Sequence, residues 1–247
     1  MRYLVISDIH ANLEALETVL GAGAKASCGR VLVLGDLVGY GADPNAVVDR
    51  VRALPGVMVI RGNHDKVAAG IESTDGFNHL ARVAIGWTAA ALTPANREYL
   101  EVLPAGPIAV DDQVEICHGT PFDEDVYVFD DLDALRSLRS ASRPLCLFGH
   151  THVPAAFCLG SGELQLVGPP RGERSDIRLD DDARYLVNCG SVGQPRDGDP
   201  RAAYGVLDTD ARALSILRVP YDVTTAQTKI VAAGLPEVLA QRLAMGR

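Results

Sequence analysis

Two histidines stand one residue apart in LFGHTHVP, residues 147–154, at the end of an apolar run. In an extended segment, residues two apart point the same way, so His150 and His152 could share one target. On a helix that spacing splays them to opposite sides. Neutral imidazoles gain nothing by facing each other, and charged ones repel. The target that rewards the spacing is a metal ion. Three more of the six histidines end apolar runs: His10 in SDIH, His64 in GNHD and His118 in CHGTP. Asp8, Asp36 (in LGDLVGYG) and Asn63 hold the same kind of position, whereas His79 lies inside a helical pattern.

The elements that must position these side chains read as alternating strands and helices. YLVIS (3–7), VLVLG (31–35) and VMVIR (57–61) are β-rich runs. Between them, residues 12–23 carry apolar residues at helical spacing behind a candidate N-cap, Asn12. Residues 44–54 open with proline, as a helix does. Strand–helix–strand order means a parallel sheet with right-handed crossovers. Residues 78–103 read as helical, with Trp87 as core filling. Strands then dominate at 107–110, 113–117, 145–149, 155–159, 164–168, 185–189, 202–208 and 214–219. A helical interval lies near 131–140, and 169–182 reads as a polar loop ending in the solvated run Asp180 to Asp182. Two helical pieces, 223–233 and 235–245, close the chain. No linker divides it, so one layered α/β domain over residues 1–247 is expected.

In open α/β sheets, ligands gather outside the carboxyl ends of strands. If these strands are neighbours, their tips bring two carboxylates, one amide and five imidazoles into one crevice. Each residue alone has a simpler role, as a turn, a cap or a hydrogen-bonded core histidine. Five strand-tip histidines beside Asp, Asn or Gly are better explained by a metal cluster.

Composition narrows the partners. The 247-residue chain is 47% hydrophobic and 22% charged, ordinary for a globular protein. Its net charge of −9 argues against a scaffold that grips many nucleic-acid phosphates, though not against one phosphate at a metal. Five scattered cysteines form no C-x-x-C pair, so reduced thiols are expected rather than a thiolate cage. No stretch reads as a signal peptide or a membrane span, which makes a cytoplasmic location the expectation.

Asp8-x-His10, Gly35-Asp36, Gly62-Asn63-His64-Asp65, His118-Gly119 and Gly149-His150-x-His152 appear in that order. This pattern resembles the calcineurin-like metallophosphoesterases, over residues 5 to about 200. NCGSVGQPRDGDPRAAY (188–204) is similar to the smaller bacterial and archaeal branch, with YfcE-type phosphodiesterases and diadenosine polyphosphate hydrolases. The resemblance implies a four-layer α-β-β-α sandwich, two mixed sheets face to face flanked by helices. It also implies two divalent ions, one on Asp8, His10 and His152 and the other on Asn63, His118 and His150, bridged by Asp36. His150 and His152 would then serve adjacent ions rather than one. Two carboxylates against four positive charges leave room for a hydroxide and an anionic phosphoryl group. Nitrogen and oxygen ligands without thiolate suit Mn, Fe or Zn. A hydroxide held between the ions would attack phosphorus in line, with His64 as general acid.

Some positions depart from the protein phosphatases of that family, which follow the GD with an Asp-Arg pair. Here Gly39 and Tyr40 stand there. Asp65 either orients His64 or shapes its loop. Tyr40 is a substrate contact or a packed core ring. Arg196 pairs with substrate phosphate or forms a surface salt bridge. Asn12 is a third candidate contact besides its capping role. Tyr127 and Phe129, in the acidic stretch DEDVYVFDD, form either a wall for a nucleobase or part of the core. The expected substrate is small and phosphorylated, with a nucleotide among the candidates, and the expected activity is that of a phosphodiesterase or dinucleoside polyphosphate hydrolase. The rival readings are a phosphomonoesterase or protein phosphatase, and a non-catalytic metal-binding scaffold. The intact His64 and seven candidate ligands speak against the scaffold.

Overall fold

Along the first strand the side chains alternate between two buried surfaces. Tyr3 and Val5 enter one apolar cluster and Leu4 and Ile6 another. A strand buried on both faces needs cover on both, and that requirement builds the fold. The computed structural model describes residues 1–167 and 172–247.

The order is β1 (Arg2–Ile6), α1 (Leu13–Lys25), β2 (Arg30–Val33), α2 (Pro44–Arg52), β3 (Met58–Val59), α3 (Asn63–Ala69), α4 (His79–Ala91) and α5 (Pro94–Glu101). Next come β4 (Ile108–Ala109), β5 (Val114–Ile116), α6 (Asp131–Ser140), β6 (Leu145–Phe148), β7 (Ala155–Gly160) and β8 (Glu163–Leu166). The chain ends with β9 (Arg174–Arg178), β10 (Ala183–Asn188), β11 (Ala202–Asp208), β12 (Ala213–Val219), α7 (Val223–Ala232) and α8 (Glu237–Met245).

Two mixed six-stranded sheets result, in the orders β3-β2-β1-β11-β12-β9 and β4-β5-β6-β10-β7-β8. In the first, β1, β2 and β3 are parallel, as their crossovers require, and β11 returns antiparallel to β1. In the second, β5, β6 and β10 are parallel neighbours. The sheets enclose Val5, Leu32, Leu34, Ile116, Leu147 and Val187 between them. Outside the first sheet lie Leu16 and Val19 of α1 and Val47, Val48 and Val51 of α2. Outside the second lie Ala134 and Leu138 of α6, against Cys146 and Phe148. The four layers are therefore present. The closing helices α7 and α8 pack with α4 through Ala84, Ile230, Leu239 and Leu243, and Lys229 of α7 pairs with Asp43.

Two local readings need correcting. The helical stretch 78–103 is two helices, because Pro94 opens α5 behind the capping hydroxyl of Thr93. The polar stretch 169–182 contains a strand, β9, paired antiparallel with β12. Its only buried side chain is Ile177, with charged residues on the other face. An edge strand needs one apolar residue and a partner, and partners are not written locally. Residues 168–171 of that stretch lie outside the described residues. The Asp180 to Asp182 run is an exposed turn. All five cysteines are free. Among the described residues no helix is long and apolar enough to cross a membrane.

Candidate metal centre and reaction site

The chain turns sharply at the candidate tips of β1, β2 and β6, though not at those of β3 and β5. Asp8, His10, Asp36, His150 and His152 all have positive φ, between 49° and 66°. Non-glycine residues adopt this left-handed conformation at a cost and cluster at functional sites when they do. Each turn folds the chain back at the carboxyl end of a strand and aims the side chain into the gap between sheets. His150 and His152 are thus not on an extended segment, and they fall in different clusters.

One cluster holds Asp8, His10, Asp36 and His152, all buried; the second holds Asp36, His118 and His150, also buried. Asn63, half-buried at the start of α3, joins the second through its Oδ1, 3.2 Å from His118 Nε2. Asp36 Oδ2 stands between the clusters, 3.5 Å from His10 Nε2 and 3.5 Å from His118 Nε2. The other Asp36 oxygen accepts the His64 backbone N–H at 2.9 Å. A Cβ at Gly62 would collide with that carboxylate, so glycine is needed where α3 begins.

The protonation of the rings follows from their partners. A carbonyl can only accept, so each ring nitrogen facing one carries the proton. His10 Nδ1 donates to the Val38 carbonyl at 3.0 Å, His152 Nδ1 to Gln194 at 2.7 Å and His118 Nδ1 to Leu34 at 2.7 Å. His150 is reversed: its Nε2 donates to the Asp125 carbonyl at 3.0 Å. The nitrogens left over are bare lone pairs, and they face one another. His10 Nε2 is 3.0 Å from His152 Nε2, and His118 Nε2 is 3.1 Å from His150 Nδ1. Four nitrogens, two carboxylates and an amide oxygen converge with no proton between most of them. Acceptors at such distances repel unless a cation sits among them, and two such groups fit two divalent ions.

The electrostatics agree for three of the four rings. Burial holds His10 and His152 well below an ordinary imidazole, and burial together with His118 lowers His150 to about 3. Burial also raises Asp8 to about 7. For His118, burial is outweighed by the charge and hydrogen bond of Asp36, which lift it to about 10. Burial likewise opposes Asp36, yet its imidazole neighbours, His118 first, hold it well below a normal carboxylate. A proton on His118 relieves that ring's own contacts and leaves His10 facing His152.

His64 is beside both clusters and belongs to neither. Its ring contacts those of Tyr40, Phe77 and His10, with centroids 4.5, 4.7 and 4.9 Å away. Burial lowers it to about 4 against the pull of Asp36. Its Nδ1 is buried with no hydrogen-bond partner. The reason is at position 39: a Cβ on Gly39 would fall on that nitrogen, so a side chain there is what the ring lacks. Asp65 does not substitute. One of its oxygens accepts Leu37 N–H at 2.8 Å and Val38 N–H at 3.1 Å, and the other accepts Gly62 N–H at 3.0 Å. Of the two roles open to Asp65, the loop-shaping one is what its contacts describe.

A family model for the calcineurin-like phosphoesterase superfamily domain matches residues 1–212. The chain belongs to that superfamily. It is 38% identical to an uncharacterized protein of Methanocaldococcus jannaschii, over 98% of this chain and 97% of that one. It is 25% identical to the phosphodiesterase YfcE of Escherichia coli K12, over 93% and 98% of the two chains. The crystal structure of a metallophosphoesterase from Sphaerobacter thermophilus superposes with a TM-score of 0.87 at 38% identity, covering 100% of this chain and 99% of that one. As a metallophosphoesterase, the chain is a phosphoester hydrolase with buried residue clusters that could bind metal ions.

The remaining candidate positions of this metallophosphoesterase sort themselves by contact. Asn12 has no polar hydrogen to offer a substrate. Its oxygen caps α1 at Ala15 N–H, and its amide donates to the Gly193 carbonyl and the Tyr221 hydroxyl. Tyr40 is 6% exposed, wedged between His10 and His64, and joins both the apolar packing and the site wall. Arg196 pairs with no carboxylate among the described residues. Its guanidinium lies over the Tyr40 ring at 5.8 Å, and its charge is felt at Asp8, His10, His64 and His152. The surface salt bridge belongs to its neighbour, Asp197, with Arg218. Tyr127 and Phe129 are not core. Tyr127 stacks on His150 at 3.7 Å, and Phe129 stacks on Tyr127 at 4.9 Å while 79% exposed.

Supporting residues that the sequence reading passed over hold the strand tips. The Asn188 amide donates to the Gly149 carbonyl at 2.7 Å and to the Thr151 hydroxyl at 3.0 Å. The Ser191 hydroxyl donates to the Asp8 carbonyl at 2.8 Å. Their only local signal is position, at and just beyond the end of β10.

Proposed function

We propose that this chain is a phosphodiesterase working with two divalent ions, Mn, Fe or Zn. Asp8, His10 and His152 would hold one ion and Asn63, His118 and His150 the other, with Asp36 available to both. The observation that carries the reading is the pair of facing lone-pair clusters with Asp36 Oδ2 between them and His64 beside them. Two such ions, when bound, supply positive charge against two carboxylates and make a coordinated water acidic.

The protein's own groups do the rest. The Nδ1–H donations of His10, His118 and His152 to backbone carbonyls keep their Nε2 lone pairs pointed inward. The covered Tyr40 ring holds His64 upright. His64 faces the ester oxygen that leaves and supplies its proton. In the metal-free protein the ring is neutral, lowered to about 4 by burial; an anionic substrate beside it favours the charged ring, which then takes its proton from solvent. The reaction adds water across one P–O bond. Water oxygen bonds to phosphorus, the bond to the departing alcohol breaks, and the alcohol leaves protonated.

Arg196 supports a diester over a monoester. It is the one cation facing the cluster without a carboxylate partner among the described residues, and a diester carries one negative charge. The test compares bis(p-nitrophenyl) phosphate with p-nitrophenyl phosphate, on protein freed of metal and then given Mn, Fe or Zn. The expected result is a kcat/KM at least tenfold higher for the diester and none without metal. A preference for the monoester would make the chain a phosphatase. Mn binding with no hydrolysis of either compound would make it a scaffold.

A further inference from the structure

Beside His64 and His150 a cleft of about 370 Å³ opens, within the size range of small-molecule sites. Its walls are aromatic: Tyr40 and Phe77 at the His64 side, Tyr127 at the His150 side. Tyr127 is part of a three-ring stack. His150 and Tyr127 lie at 26°, Tyr127 and Phe129 at 11°, and the stack runs from the metal cluster out to a largely exposed phenylalanine. Phe129 belongs to none of the apolar clusters. An aromatic wall that starts at a metal ligand and borders the cleft suits a flat ring.

The charges of the cleft say what accompanies that ring. Its one lining cation, Lys66, is buried and already surrounded by carboxylates. Glu72 lies at 2.6 Å, Glu124 at 3.5 Å and Asp125 closer than either. A chain of phosphates entering here would meet acidic groups and no unpaired cation among the residues that line the cleft. An uncharged group with hydroxyl and amino donors would instead find acceptors in Glu72 and Asn78 at the cleft's rim.

We infer that the alcohol released from the diester is a nucleoside, seated in this cleft with its base against Tyr127 and its phosphate-bearing oxygen at His64. The proposal rests on the phosphodiesterase reading and names its substrate class. Hydrolysis adds water to the diester: the new P–O bond forms from water, the P–O bond to the nucleoside breaks, and His64 returns a proton to the nucleoside oxygen. A dinucleoside polyphosphate, whose phosphate chain would have to pass Lys66 and its carboxylates, is disfavoured.

Two compounds separate the cases, because both yield methyl phosphate: adenosine 5′-methylphosphate and glycerol methylphosphate. With Mn added, the expected kcat/KM for the adenosine diester exceeds that for the glycerol diester by roughly tenfold or more, the scale of one base–aromatic stack. Tyr127→Phe keeps that ratio, and Tyr127→Leu, which preserves bulk against His150, collapses it toward one. Binding gives a readout independent of turnover. On metal-free protein, adenosine shows saturation transfer by NMR in the wild type and Tyr127→Phe, and none in Tyr127→Leu. Equal efficiencies with hydrolysis intact, or a ratio indifferent to Tyr127→Leu, overturn the nucleoside assignment and leave the phosphodiesterase standing. Absence of adenosine binding to the wild type overturns it as well. No hydrolysis of these or of bis(p-nitrophenyl) phosphate overturns both.

Discussion

The substitution Gly39→Ala tests one of the close approaches that place His64. Gly39 has φ of +92°, which an alanine reaches only under strain. Strain of this kind costs about 1–3 kcal/mol, so melting should fall by roughly 2–10 °C for a chain of this size. The new methyl also lands on His64 Nδ1. The ring cannot retreat freely, since His10, Tyr40 and Phe77 surround it within 5 Å, and so it must tilt. A displacement of about 1 Å costs on the order of 10²-fold in rate, within the 10²–10⁴-fold that a general acid contributes. The expected result is about a hundredfold loss of kcat on bis(p-nitrophenyl) phosphate with bound Mn unchanged by elemental analysis. The decisive assay adds His64→Ala. In that background the methyl has nothing to strike, so Gly39→Ala should lower melting again but not kcat. If it costs the same factor in kcat with and without His64, or leaves the wild-type rate intact, the argument that position 39 acts through His64 fails.

Three other outcomes follow from the geometry. His152→Ala and His118→Ala should each lose about one equivalent of Mn, because their nitrogens belong to different clusters; loss of both equivalents from either variant would mean one shared site. Asp65→Ala strands three buried peptide N–H groups, on Leu37, Val38 and Gly62, at about 1–3 kcal/mol each. It should therefore unfold at markedly lower denaturant, whereas an unshifted midpoint would deny Asp65 its loop-shaping role. In the metal-free protein His10, His64, His150 and His152 have depressed pKa values, to about 4 for His64 and about 3 for His150. Each favours unfolding as pH falls below 6.5. Asp8 and Asp65, both raised to about 7 by burial, act oppositely over the same window. Four groups against two leave the unfolded chain binding about two more protons, so stability should fall by at most about 2.7 kcal/mol per pH unit between pH 6.5 and 4. His118, raised to about 10, makes stability decline again above pH 7. Urea midpoints of metal-free protein that are flat or rise from pH 6.5 to 5 would contradict this balance.

Much of the scaffold was legible because local chemistry specifies it. Asn12 caps α1 and Pro44 opens α2, as residue types at helix starts require. The apolar run at 3–7 marked β1 as a buried strand. Residue types at strand ends marked the seven candidate ligands, four of them with glycine beside them. The misreadings share a cause. β9 exists through its partner β12, and Arg196 escapes a salt bridge because Asp197 takes Arg218 instead. Tyr127 and Phe129 stand outside the core because a ring of His150 offers the stacking surface.

What the sequence determined by itself is a donor set and an order of elements: short-range matters, since periodicity, caps and strand-end residues act over a few positions. Tertiary structure alone decided how the donors divide. Left-handed turns at three strand tips sent His150 and His152 to different clusters, and backbone carbonyls from distant loops chose which nitrogen each ring presents. It alone also left His64 Nδ1 bare against Gly39. These outcomes depend on groups tens to well over a hundred residues apart, and no local propensity carries that distance.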